Sequence, residues 1–345
     1  MLWVRSHNGH TRRLRTTGVR PTTQATGTAM LAVAAAGLVL ASGATAGLLL
    51  IGHAGVGFLF SLVAGVAVPY AFGRELATHV VGEPPLVVTR TDAGFLASIL
   101  VAAPATRLVA QTGAGVVVGS GVVGLFAHLF VQKYEAPAYC GTFVGMATAS
   151  VLSWGGLLAA SFVAGGVFIA AQRAFNGFGG KLGTTAFVGC GVVVLAGGSG
   201  PDVGTAPSTA VVLGGIATAT AGAVAAYLLA RLRGLGPVFG SSVVGILAGG
   251  VSLVVPGTTL LAAAAFCGSF TGMSHSGRLP SVASVGLAGV VTGLLFAAAV
   301  PVVAGFGGKL GTIAFVACLV THTLLAVAGG RLGVDEAFGF QPLEG

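Results

Sequence analysis

Nine runs of about 20 apolar residues dominate this chain, at 28–51, 54–73, 112–132, 151–172, 182–200, 207–230, 236–255, 281–303 and 310–329. Each is long enough to cross the roughly 30 Å of a bilayer's hydrocarbon core. A backbone in lipid has no water to bond, so it must close its hydrogen bonds as a helix or a sealed barrel. The runs are apolar on every side and lack the alternation of barrel strands, which selects helices. The expected fold is all-α, a polytopic transmembrane helical bundle of about 9–12 spans with two internal repeats. Only 7% of the residues are charged, against about a quarter in soluble proteins. The 59 glycines, costly in soluble helices, let membrane helices approach closely.

Residues 1–27 differ in kind, with Arg5, Arg12, Arg13, Arg15 and Arg20 and no acidic side chain. Basic residues ahead of a first apolar run stay on the cytoplasmic side, so the chain is expected in the cytoplasmic membrane with its N-terminus inside. A rival reading takes Arg12-Arg13, the run from Met30 and Ala41 to Ala46 as a cleavable signal. Continuation of the apolar run through Gly47–Ile51 argues against cleavage.

A fourteen-residue block occurs twice. Gly177 to Cys190, beginning GFGGKLGT, returns as Gly305 to Cys318 with changes only at Thr185 (Ile313) and Gly189 (Ala317). Tyr139 to Met146 likewise matches Phe266 to Met273, sharing CG[TS]F[VT]GM, and Gly119 to Gly124 matches Gly240 to Gly245. Order is kept, so the organisation expected is a basic arm (1–27), two leading helices with a loop (28–89), one repeat (90–200), a second (201–330) and a short tail (331–345). Duplicated hydrophobic units are a common plan for transporters.

Three topologies compete. Ten spans place 10 of the 16 Lys and Arg inside and 6 outside; twelve spans with inverted five-span repeats give 14 against 2, the exceptions being Arg107 and Lys309; nine spans with parallel repeats give 13 against 3. The positive-inside rule disfavours ten. Twelve requires Pro137–Val151 to act as a crossing, for which it is short, and a re-entrant segment suits it better.

In GFGGKLGT the glycines break one helix and the following residues start another, placing Lys181 and Lys309 in a first turn beside Thr184 and Thr312. A cation there opposes the helix dipole unless an anion is shared. Backbone N–H groups of Gly179, Gly180, Gly307 and Gly308 would help hold one. The simpler alternative is a lysine snorkelling to the interface, which would not require the flanking glycines and threonines to recur. ATP binding is rejected, because Leu182 and Leu310 stand where a nucleotide loop needs Ser or Thr. In the second motif, Thr142 and Ser269 are the matching hydroxyls of an interrupted membrane helix or, more simply, of a tight helix contact.

All four cysteines (Cys140, Cys190, Cys267 and Cys318) belong to the duplication, but no ligand spacing accompanies them, so neither metal nor cofactor is expected. His128, with Lys133 and Glu135 after it, reads as a packing residue or a proton carrier. Nucleophile and metalloprotease motifs are absent and no enzyme activity is expected. The formal net charge of +8 reads as topology and attraction to anionic lipid, not nucleic-acid binding. The expected function is movement of a small anionic or neutral solute through a site between the repeats, built from Lys181, Lys309, Gly179, Gly180, Gly307, Gly308, Thr184, Thr312, Thr142 and Ser269. The competing class is a membrane scaffold or assembly subunit that binds a partner through Gly-rich helix faces. The partners expected are the lipid bilayer and the solute, with a homo-oligomer also allowed.

Overall fold

The computed structural model describes residues 88–197, Gly200 and 204–329, with Ala29 and Gly73. The expected arm, both leading helices and the tail therefore lie outside the described residues. Ten α-helices follow in order: α1 Arg90–Val109, α2 Gly115–Phe130, α3 Glu135–Gly145, α4 Trp154–Ala170, α5 Lys181–Leu195, α6 Thr209–Arg231, α7 Gly236–Val254, α8 Thr259–Gly272, α9 Val282–Ala299 and α10 Lys309–Ala328. Among the described residues there is no β-strand. Five stretches of the described residues are long and apolar enough to cross a membrane: Arg90–Phe130, which runs through α1 and α2, together with α6, α7, α9 and α10. This is the architecture of a multi-pass helical membrane protein, with large side chains such as Phe130, Phe162 and Leu195 facing outward, as lipid contact requires.

Local chemistry sets several boundaries. Thr89 and Ser281 cap α1 and α9 with reciprocal capping boxes, and Ser153 and Ser208 cap α4 and α6, each supplying an acceptor to an otherwise orphaned N–H. Between α1 and α2 the chain stays coiled through a five-residue π-helical segment, Ala110–Ala114. Gly113, at φ 94°, breaks it there, so the apolar stretches on either side form two helices at an angle.

The helices pack through small residues. Gly121 of α2 lies against Ser242 and Ile246 of α7, while Gly249 of α7 lies against Val117 and Val118 of α2. Rising numbers on one helix meet falling numbers on the other, so the pair is antiparallel. Below this seam a buried hydroxyl chain links Tyr139 Oη, Ser241 Oγ and Ser269 Oγ at 2.9 and 2.7 Å. Tyr139→Phe removes one member and leaves Ser241 its bond to Ser269, so a loss of about 1 kcal/mol is expected in thermal unfolding.

Arg107, 4% exposed near the end of α1, donates to the carbonyls of Ala147 and Leu152 at 2.8 Å each, with its guanidinium 5.3 Å from the centre of the Trp154 ring. It clamps the turn between α3 and α4.

Candidate functional site

The two copies of the repeated block meet. Each supplies a loop and the first turns of a helix: residues 171–180 lead into α5, and 301–308 into α10. Gly183 and Gly311 lie back to back; a Cβ on either would stand 2.5 Å from the other's Cα. Gly180 faces Gly311, Ala314 and Phe315, and Gly308 faces Gly183, Ala186 and Phe187. As α5 advances, α10 recedes, so the helices cross antiparallel at their N-terminal turns. The N-cap residues Gly180 and Gly308 are left-handed, at φ 81° and 79°, a conformation that glycine adopts without penalty.

The loops dock in a matched exchange. Gly177 O accepts from His275 N at 2.8 Å and Gly305 O from Thr148 N at 2.9 Å. Loop 171–180 thus seats on the turn after α8, and loop 301–308 on the turn after α3. Gly179 N donates to Ser274 Oγ at 3.0 Å, while Gly307 packs against the carbonyls of Phe143 and Val144 and against Cys190 Sγ. Each loop also holds a non-glycine residue at positive φ, Phe175 at 56° and Val303 at 45°. For a β-branched side chain this is a strained conformation, and such strain, of order 1–3 kcal/mol, clusters at ligand clamps and switches.

The lysines answer their helix dipoles differently from the sequence expectation. Lys181 Nζ reaches back to Gln172 O at 3.3 Å and Asn176 Oδ1 at 3.0 Å, and Lys309 Nζ to Val300 O at 3.1 Å. Each ammonium therefore sits against carbonyls just past the end of the preceding helix, α4 or α9, where a cation is favoured. The hydroxyls of Thr184 and Thr312 bond the carbonyls of Gly180 and Gly308, four residues back. Thr142 bonds Ser120 and Tyr139 O, and Ser269 bonds Ser241 and Phe266 O. All four hydroxyls are fully buried and engaged within the protein. Cys140 and Cys267 make equivalent contacts to Leu182 O and Leu310 O; all four cysteines are free thiols.

Two cavities flank the crossing. The larger, about 780 Å³, is lined by Lys181, Gln172, Asn176, Arg231, Ser274, His275 and Glu135, with Phe95, Phe168 and Phe178 among its apolar walls. The smaller, about 250 Å³, is lined by Lys309, Thr148 and a mostly apolar wall including Met146, Leu260, Phe296 and Phe306. They share only Phe143 and Phe270. These rings, 4.7 Å apart between centroids and inclined at 59°, pack at similar steep angles against Tyr139 and Phe266 as a partition.

Of the residues the sequence singled out, Lys181, Gly179 and Gly180 line the first cavity and Lys309 and Gly308 the second, whereas Gly307 packs on α3 and the four hydroxyls line neither. Sequence reasoning passed over Phe143 and Phe270, although both stand inside the repeated CG[TS]F motif; their signal was a bulky ring kept among small residues. Gln172 and Asn176 precede the block and carried no signal. At the wide cavity, Gln172 Nε2 bonds Asp92 Oδ1 at 2.5 Å and His128 Nδ1 bonds Glu135 Oε2 at 2.7 Å.

No family model matches this chain, and no curated protein or solved structure matches it.

Proposed function

We propose that the protein carries a small anionic or neutral solute across the membrane by alternating access between two inverted repeats, α1–α5 and α6–α10. One observation carries the reading: two cavities approach the antiparallel crossing of α5 and α10, each bearing one copy of the GGK helix start, and an aromatic pair divides them. Inverted repeats with interrupted segments meeting at mid-membrane are the geometry in which rocking one unit against the other exposes a single site to either side. The unequal volumes correspond to a state more open at the Lys181 side.

The charges support the same orientation. Lys133, Arg231 and Arg278 belong to the Lys181 end: Lys133 precedes by two residues Glu135, which lines the wide cavity, Arg231 lines it too, and Arg278 Nε bonds Asn176 O. Arg107 clamps the turn that carries Thr148, at the Lys309 end. By the positive-inside rule the wide cavity faces the cytoplasm, as in the twelve-span alternative, with α3 and α8 as its short third elements.

In a background without native cysteines, Lys181→Cys is expected to react with a membrane-impermeant thiol reagent only from the cytoplasmic side and Lys309→Cys only from the outer side. Labelling of both from one side would overturn the inverted arrangement. In proteoliposomes, Lys181→Ala and Lys309→Ala should each abolish solute flux while the protein still inserts and stays folded; full activity in both variants would refute a role for the ammonium groups.

A further inference from the structure

We infer that the solute is a small organic monoanion, a carboxylate on an apolar body of about one ring; this rests on the carrier reading above and names its substrate class. What a solute meets in both cavities is the pair of rings, Phe143 and Phe270, and one lysine ammonium on each side.

The narrow cavity is the more restrictive. Among the described residues that line it, Lys309 is the only ionisable side chain and Thr148 the only other polar one. The ammonium has three donors and directs one to Val300 O. The Val300 carbonyl offsets part of the cost of holding this cation partly buried, and among the described residues that line the cavity no carboxylate neutralises it, so a ligand's negative charge would stabilise it further. A cationic solute would be repelled. A strongly hydrated inorganic anion such as sulfate would surrender its water to walls that cannot replace it. A neutral solute would leave the charge uncompensated. A monoanion whose charged end meets Lys309 and whose body lies against Phe143 and Phe270 satisfies both parts of the lining, and the 250 Å³ volume limits that body to a single ring or a short chain.

The wide cavity agrees. Lys181, Arg231 and His275 line it, and Glu135, the one carboxylate among the described residues lining it, is bonded to His128. The same two rings form its floor, so the apolar body keeps its contacts while the charged end passes from one ammonium to the other.

The test uses the purified full chain and radiolabelled benzoate. Equilibrium dialysis in detergent should show saturable binding, with benzamide and sulfate competing at least about tenfold more weakly, because a charge-assisted hydrogen bond contributes about 1.5–3 kcal/mol and 1.4 kcal/mol is tenfold. Lys309→Gln should weaken benzoate binding about tenfold or more, and Lys309→Arg should largely restore it. Benzamide competing as well as benzoate overturns the inference without any variant, as does sulfate displacing benzoate equally well or an absence of saturable benzoate binding. The carrier reading is scored separately, by flux of benzoate, urea and glycerol into proteoliposomes. Flux of a neutral solute with no benzoate binding sinks the anion inference and leaves transport standing. Benzoate that binds through Lys309 but does not cross upholds the site's chemistry and sinks transport.

Discussion

Gly308→Ala is expected to destabilise the protein by about 2–5 kcal/mol, a large share of the 5–15 kcal/mol that holds a typical protein folded. Two costs combine. Gly308 sits at φ 79°, where an L side chain costs about 1–2 kcal/mol. Its new methyl would also press on Gly183 O, Phe187 N and the Ala186 carbonyl carbon, and overpacking costs about 1–3 kcal/mol even where flexible side chains can give way. Here every opposing atom is backbone, so relief requires α5 and α10 to separate at their crossing. Gly180→Ala should behave alike, since it meets the corresponding atoms of Gly311, Ala314 and Phe315. Gly191→Ala is the control: it lies within α5 with no atom near the added methyl, so it should be neutral or stabilising by up to about 1 kcal/mol. Thermal unfolding in detergent, followed by size-exclusion chromatography, would register the first two as a fall of roughly 5 °C. A shift of only a degree or two in both would mean that the two helix starts do not pack as described.

How much of this was legible beforehand depended on the range of the interaction concerned. The long helices follow from runs of apolar residues, and α4 to α7, α9 and α10 lie within a few residues of the apolar stretches, because each boundary is a local matter of caps and glycines. α3 and α8 were harder. Their sequences are short and rich in small residues, and they pack closely on α1 and α6, where Gly141 meets Ile99 and Gly268 meets Ala219. The repeated block is plain in the sequence, but the groups that receive its lysines are not. The path of the loop, which brings Gln172 O and Val300 O within reach of the ammonium groups, is not encoded in any local pattern. The same holds for the crossing itself: glycines at 183 and 311 permit close approach, and only the three-dimensional path of the chain shows that they approach each other.

Arg107→Ala should be the most damaging substitution outside the crossing, at about 2–4 kcal/mol, and its consequences should reach the second loop. The guanidinium is buried, its Nε has no partner, and burial of that charge is itself unfavourable; a simple loss of charge would therefore not be harmful. What the truncation removes are donors to two carbonyls, of Ala147 and Leu152, and each buried acceptor left unsatisfied costs about 1–3 kcal/mol. Arg107→Lys, able to serve one of the two, should lose roughly half as much, and Arg107→Met, which restores volume but no donor, should stay close to alanine. That ordering separates a hydrogen-bonding clamp from a space-filling one, for which Met would be the mildest. Residues 147–152 also carry Thr148, whose N–H holds Gly305 O in the loop leading to Lys309. Loosening the clamp should speed thiol labelling of a Lys309→Cys reporter and leave a Lys181→Cys reporter unchanged, because the loop before Lys181 is seated on His275 N instead. Equal acceleration at both positions would indicate general loosening of the fold and argue against the clamp. Acceleration at Lys309 alone would tie the buried arginine to the setting of the narrow cavity.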